Sequence, residues 1–452
     1  MDVLLISILL AVLGGIIFTA IGLISGSDET AVLVPATLIV VLLGAPPEAV
    51  FAFFMAAVLS KHLTHAIPTA LMGVPGDTTA TPMLDHANFM RRIGLPHIAL
   101  RKMISGGIIG AFIALPVSLV FAVFLSRFGE FFQENAGIIF TLAAVLIGYF
   151  SKGRWASIIL IIPLALVIQG LNLVSTTILG TGLSISFFLG IAIGPMFTDI
   201  LLASSGSGRL MIERRQPNEY KLAPERKSWT GYFPNPFKVL TKKQTAAVGG
   251  TSFLSSLTFA LSPVGMTALM GELVGSRVKG QYKKSTTSLS TMNGVTESTY
   301  IAETIIPLVA FGIPLSPVAI GPAQALFNAP PVFTTEPEMH NLHTLMEPMD
   351  FLLYGLIGIV IAAIIAYPFS MNFARKATVL VLKHINQEAI IAMFIGIVTL
   401  LAFYEGGLVS VTVTFAMAMV GGLLNRFLGV GIGVQFMIFY GSGWIVTTLL
   451  GM

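Results

Sequence analysis

The chain has no cysteine in its 452 residues. Disulfides, thiolate metal centres and cysteine nucleophiles are therefore excluded. Charge is scarce as well: Asp, Glu, Lys and Arg make up 10% of the residues, where soluble domains carry about 25%. Several chemical signatures are missing. There is no His-Glu-x-x-His, Gly-x-Ser-x-Gly or Gly-x-Gly-Asp pattern, which argues against the commonest intramembrane hydrolases. Ser205-Gly-Ser-Gly-Arg209 is glycine-rich, but no Lys-[Ser/Thr] follows it, so it is not a Walker phosphate loop.

What is there is apolar. Hydrophobic residues make up 55% of the chain, and the mean hydropathy is +0.88. Several stretches reach the roughly 20 apolar residues that a spanning helix needs. Gly (45) and Pro (24) are abundant, as suits interrupted membrane helices. The formal charge of +4 comes from basic residues in short loops between spans and does not indicate nucleic-acid binding. Residues 1–24 lack a basic start and a small-residue cleavage site, so they read as a retained first span. The pattern predicts an all-α polytopic membrane protein with roughly 10–14 membrane segments, lying in a cell (inner) membrane.

One pattern occurs twice. Residues 67–75 read Ile-Pro-Thr-Ala-Leu-Met-Gly-Val-Pro, and residues 306–314, 239 positions later, read Ile-Pro-Leu-Val-Ala-Phe-Gly-Ile-Pro. Proline removes a backbone donor and glycine loosens the chain, so each copy is expected to break a helix at membrane depth. The pieces at 62–76 and 298–332 are expected to be re-entrant hairpins or half-helices. Matching breaks in two halves point to a transport site.

Loop charge supplies orientation. Arg91, Arg92, Arg101 and Lys102 mark a cytoplasmic loop, as do Arg277, Lys279, Lys283 and Lys284. The basic stretch 204–244 reads as the cytoplasmic linker. Glu336, Glu338, Glu347 and Asp350 lie in a loop without Lys or Arg, which places it outside. The two motifs then face opposite ways, which predicts two inverted-topology repeats, 1–203 and 245–452. Lys61 falls on the outer side in this scheme and is taken to snorkel from a helix end.

The polar residues around the breaks are the candidate site. Gly76 is expected to take a positive φ and leave N–H groups open to a carboxylate, with Pro75, Asp77, Thr78, Thr79 and Thr81 around it. In the second half the candidates are Asn293, Glu297, Ser298, Thr299, Gly312, Pro314 and Ser316, with Glu297 expected at an interface. A Ser25-Gly26-Ser27 turn, in step with Ser262–Gly265, can offer N–H groups to an anion or be an ordinary interhelical turn. Thr64, Asp85 and Glu303 are candidates for the coupling ion. His62 and His65 stand three apart, but no Cys or nearby carboxylate completes a metal site, and they read as core or cavity histidines. Trp229, Tyr232, Phe233 and Phe237 read as an interfacial aromatic belt.

These motifs resemble a known family. Gly73-Val-Pro-Gly-Asp-Thr-Thr-Ala-Thr-Pro-Met-Leu-Asp85 with Met90-Arg-Arg-Ile-Gly94, and Asn293-Gly-Val-Thr-Glu-Ser-Thr299 with 306–314, are similar to two signatures of the large permease subunit of tripartite tricarboxylate transporters. Gly22–Thr30 is similar to that family's N-terminal glycine-rich motif. The chain departs from the pattern at His86, at Leu315 and at Tyr300–Ala302. The resemblance implies secondary uptake of small carboxylates such as citrate, driven by a sodium or proton gradient, with no cofactor. It implies two partners, an extracytoplasmic binding protein and a small membrane subunit, and is compatible with a homo-oligomer. The competing classes are an intramembrane enzyme using Asp77, Asp85 or Glu303, and a passive channel or scaffold.

Overall fold

The computed structural model describes residues 2–25, 27–180, 182–183, 185–206, 231–259, 261–327, 341–384 and 387–451. Helices of nine residues or more run in the order α1 (Val3–Ile21), α2 (Glu29–Leu42), α3 (Pro47–Ile67), α4 (Leu84–Arg92), α5 (Pro96–Leu125), α6 (Ala136–Phe150), α7 (Ile161–Leu179) and α8 (Ile185–Ser204). They continue as α9 (Lys242–Ser255), α10 (Pro263–Gly275), α11 (Gln281–Phe311), α12 (Pro348–Asn372), α13 (Ala374–His384), α14 (Gln387–Leu428) and α15 (Ile432–Leu450). Among the described residues there is no strand, and eight helices are long and apolar enough to cross a membrane. The chain is an all-α polytopic membrane protein. α1 shows the membrane pattern: Leu5, Leu9, Leu13 and Ile16 point outward, while Ser7, Ala11, Gly14 and Phe18 are buried. An apolar outer face and a small or polar inner face suit lipid, which rewards neither polar exposure nor bulky helix contacts.

Two helices occupy the interior. α3 is buried along its length. α11 is buried from Ser285 to Phe311, yet Ser, Thr, Asn and Glu fill much of that run. Its low hydropathy keeps it off the set of apolar spans, and its 31 residues form one continuous helix. This corrects the expected half-helix beginning at 298. The polar residues face neighbouring helices instead of lipid, where a lost hydrogen bond is costly.

The repeated motif has one local form in both halves. The chain stays helical through Pro68 in a π-helical last turn, and through Pro307 within α11. The break comes at the glycine: Gly73 (φ 72°, ψ 30°) and Gly312 (φ 66°, ψ 11°) are both left-handed caps. Each donates its N–H to the carbonyl of the motif proline, Gly73 to Pro68 at 3.1 Å and Gly312 to Pro307 at 3.0 Å. Only a residue without Cβ takes that conformation at no cost, which is why the glycine recurs. The match extends past the cap. Asp77 and Ser316 are equivalent positions, and both accept the N–H three residues on, from Ala80 at 3.2 Å and from Ala319 at 3.0 Å.

The halves pack reciprocally. α5 of the first half lies against α11 of the second, and α12 of the second lies against α3 of the first. Both contacts bring backbones together at glycine. A Cβ at Gly358 would stand 2.6 Å from the Ala52 carbonyl oxygen, and one at Gly106 would collide with the Ser290 carbonyl. α14 bends at Gly406 and Gly407; just before the bend, the Glu405 carboxylate accepts the N–H groups of Ile185 and Ser186 at 2.9 and 2.8 Å, tying α8 to it. Most of the expected linker, 207–230, and the acidic positions Glu336 and Glu338 lie outside the described residues, as does Trp229; Tyr232, Phe233 and Phe237 are exposed.

The glycine contact gives a test. Gly106→Leu is expected to push α5 off α11 and cost about 1–3 kcal/mol or more, read as a lowered thermal midpoint of the detergent-purified protein. The same change at Gly250, which has open space around it, is expected to leave the midpoint nearly unchanged.

Candidate functional site

α3 carries Lys61, His62 and His65 on its inner turns, and all three are fully buried. Residues 61 and 65 share a helix face, and 62 and 65 are also one turn apart, so the three side chains diverge into one small volume. Three carboxylates converge on them. Glu29 comes from the start of α2, Asp77 from the loop after the first motif, and Glu297 from α11.

Asp77 is the most heavily bonded of these. Its Oδ2 accepts from Lys61 Nζ at 3.0 Å and from His65 Nδ1 at 2.6 Å. Its Oδ1 accepts from the Thr79 N–H at 3.0 Å, the Thr79 hydroxyl at 2.7 Å and the Ala80 N–H at 3.2 Å. One carboxylate therefore folds the loop and fastens it to α3. Lys61 Nζ also lies 3.8 Å from Glu29 Oε1. Glu29, His65 and Asp77 offer ligand atoms within 4.8 Å of one another, but the Lys61 ammonium already supplies their positive charge. The trio is part of an ion-paired cluster with Lys61.

His62 joins the two halves. Its Nε2 is 2.8 Å from Glu29 Oε1 and its Nδ1 is 3.0 Å from Glu297 Oε2. The ring also meets the edge of Tyr300, centroid to centroid 4.6 Å. Each nitrogen–oxygen contact at these distances needs a proton between its atoms. A neutral imidazole brings one N–H, so an imidazole flanked by two carboxylates needs one more proton to make both bonds. His65 differs: a single N–H on Nδ1 satisfies Asp77, and its Nε2 has no hydrogen-bond partner among the described residues.

The structure places the expected residues unequally. Asp77 and Glu297 are in the cluster, and Glu297 is fully buried and not at an interface. Asn293 and Thr299 are buried with side-chain polar atoms that lack partners among the described residues, as is Glu297 Oε1. Thr79 bonds Asp77. Thr78, Thr81 and Asp85 are exposed and stand apart from the cluster. The Thr64 hydroxyl donates to the Ser60 and Lys61 carbonyls of its own helix, which commits its proton locally. Ser298 pairs with Ser255 at 2.6 Å. Ser25 donates to the Pro75 carbonyl at 2.7 Å, and Ser27 is buried; Gly26 lies outside the described residues.

Gly76 corrects the sequence expectation. Positive φ belongs to Gly73, not Gly76. The Gly76 N–H is taken by the Thr69 hydroxyl at 3.1 Å, and the N–H groups of Thr79 and Ala80 are taken by Asp77. The loop therefore consumes the donors that were expected to greet a carboxylate. What requires glycine at 76 is contact: a Cβ there would collide with the His65 carbonyl and stand 2.6 Å from its Cβ. In the second half Glu303 Oε2 accepts the Val318 N–H at 3.1 Å, and Ser316 donates to the Glu303 carbonyl at 2.6 Å. Gly312 packs on His343 and Pro314 is buried beside it.

Sequence reasoning missed Glu29, Lys61, His62 and His65. Lys61 does not snorkel; it is paired inside the bundle. The carboxylates that the histidines lacked in sequence come from other segments, one of them 235 positions away. A usable signal was present: three basic side chains within one helical turn of an apolar span are expensive unless partnered. His86, one of the departures, bonds Glu272 at 2.8 Å and Ser285 at 3.2 Å and so pins α4 to α10 and α11.

Removing one partner of the buried pair is expected to cost about 3–5 kcal/mol. Asp77→Asn keeps the Oδ1 acceptor but leaves the Lys61 charge under-compensated, so it is expected to lower the thermal midpoint sharply. Adding Lys61→Met is expected to recover much of that loss. A double variant less stable than Asp77→Asn alone would contradict the pairing.

Against this geometry, a family-wide sequence profile described as the tripartite tricarboxylate transporter TctA family matches residues 8–430. Neither a curated protein nor a solved structure matches the chain. The profile covers nearly the whole chain, and the chain belongs to that family of transporters.

Proposed function

We propose that this member of the tripartite tricarboxylate transporter TctA family is the permease of a proton-driven uptake system for small carboxylates such as citrate, seated in the cell's inner membrane. Its two halves are inverted repeats that meet at the cluster around α3 and α11. An extracytoplasmic binding protein delivers the substrate, and a small membrane subunit lies alongside. The shared cap geometry at Gly73 and Gly312 and the reciprocal helix packing support the repeat. The observation that carries the coupling is His62 between Glu29 of one half and Glu297 of the other.

The proton is the simplest coupling ion for this arrangement. With it bound, His62 donates to both carboxylates and holds the halves together. Without it, one ring nitrogen faces a carboxylate lone pair to lone pair, and that contact becomes repulsive. Proton binding thereby biases one arrangement of the halves over the other, which is what a coupled transporter needs from its driving ion. The charged and titratable groups gathered around the ring are Asp28 at the N-cap of α2, Glu29 on α2, Lys61 and His65 on α3, Asp77 in the loop, and Glu297 and Tyr300 on α11. Of the other coupling-ion candidates, Asp85 is exposed, and Glu303 is buried with its Oε2 accepting the Val318 N–H. Buried donors for the substrate carboxylates are the Asn293 amide and the Thr291 and Thr299 hydroxyls on α11.

Uptake into proteoliposomes tests the reading. An inward proton gradient is expected to drive accumulation of radiolabelled citrate or a related carboxylate, and a sodium gradient alone is not. Gly76→Val and Glu297→Gln are each expected to abolish uptake with normal expression. Equilibration without accumulation would favour a channel. Wild-type rates in both variants would remove the site assignment.

A further inference from the structure

We propose that a second site, remote from the central cluster, holds an anionic phospholipid between α5, α9 and the α10–α11 turn. A cavity of about 940 Å³ there is lined by six cations: Lys102 on α5, Lys242 and Lys243 on α9, Arg277 and Lys279 after α10, and Lys283 on α11. No Asp or Glu lines it. Basic residues near spans are ordinary, but they usually spread along a membrane face. Here they come from three separate chain segments and surround one cavity, and like charges so gathered repel one another unless an anion lies among them.

The rest of the cavity wall names the class of anion. Ala247, Val274, Val278 and Tyr282 add apolar surface, and Thr241, Gln244, Thr286 and Thr287 supply neutral hydrogen-bonding groups beside the cations. A second cavity of about 520 Å³ also touches α5 and α9 and is almost wholly apolar: Ile108, Ile109, Phe112 and Ile113 of α5 and Gly249 of α9 line it together with Phe233 and Phe237 before α9 and Val360 and Ile364 of α12. Those α5 residues lie 6–11 positions beyond Lys102, or about 9–16 Å along the helix. Cations at the helix ends and an apolar trough one to three turns deeper match a phospholipid, whose phosphate sits at the interface and whose acyl chains lie below. A free phosphate or carboxylate would use the first cavity and gain nothing from the second. Lys102 has a supporting part: its Nζ donates to the Val239 carbonyl at 2.5 Å and to Gln244 at 2.8 Å, which holds the start of α9 against α5.

The test uses purified, delipidated full-length protein. Phosphatidylglycerol or phosphatidylcholine is added back in detergent, and the lipid retained after washing is counted by mass spectrometry. The wild type is expected to retain phosphatidylglycerol and release phosphatidylcholine, and millimolar inorganic phosphate is expected not to displace the retained lipid. Lys242→Gln/Lys243→Gln/Lys279→Gln/Lys283→Gln removes four exposed charges and is expected to cut retention at least about ten-fold. Gly249→Phe, at a glycine with room around it, fills the apolar trough without touching a charge and is expected to cut it as well. Equal retention of the two lipids, or unchanged retention in both variants, would overturn the proposal. Displacement by phosphate with no effect of Gly249→Phe would assign the basic cavity to a soluble anion instead.

Discussion

Lys61 lies inside the bundle with its ammonium closed off from water, 3.0 Å from Asp77 and 3.8 Å from Glu29. A charge in that position is tolerable only with its partners in place, and each partner belongs to a different segment. Asp77 can reach it because Gly73 ends the preceding helix in a left-handed cap and turns the chain back. Gly76 then lets the returning loop lie against the His65 backbone. Glu29 can reach it because α2 starts beside the same loop, which Ser25 grips through the Pro75 carbonyl. Satisfying one buried cation thus fixes the end of α3, the following loop and the start of α2.

The same constraint links the two halves. Glu29 is shared: it neighbours Lys61 and also accepts from His62, whose other nitrogen meets Glu297 on α11. Taken with an N–H on both nitrogens of His62, two cations face three carboxylates. The cluster then carries one negative charge in excess. α5 and α12 press α11 and α3 into place through backbone contact at glycine. In the proposed mechanism, a change in protonation at His62 would therefore act on the paired inner helices.

The all-α membrane architecture was legible because lipid allows few alternatives and α1, α5 and α12 are plainly apolar. The repeated motif was legible too, since a glycine in a left-handed cap after a proline leaves a fixed spacing in sequence. The break was read from proline and glycine together; the glycine alone makes it, because a π-helical turn absorbs Pro68 and α11 runs straight through Pro307. α11 was cut short because hydropathy treats Ser, Thr, Asn and Glu as water-facing, whereas here other helices surround them. Asp77 and Glu297 were found from their motifs. Lys61, His62 and His65 were passed over because their carboxylates come from α2, the loop and α11, and pairings across such separations follow from packing and not from spacing.

The central claim is that the proton on His62 couples the halves without itself binding substrate. His62→Gln in proteoliposomes separates those roles, because exchange of the proposed substrate, citrate or a related carboxylate, would need the substrate site alone while accumulation would need the gradient. The account predicts that the variant exchanges internal for external citrate but no longer accumulates it under an imposed proton gradient. Accumulation by His62→Gln at the wild-type level would contradict it.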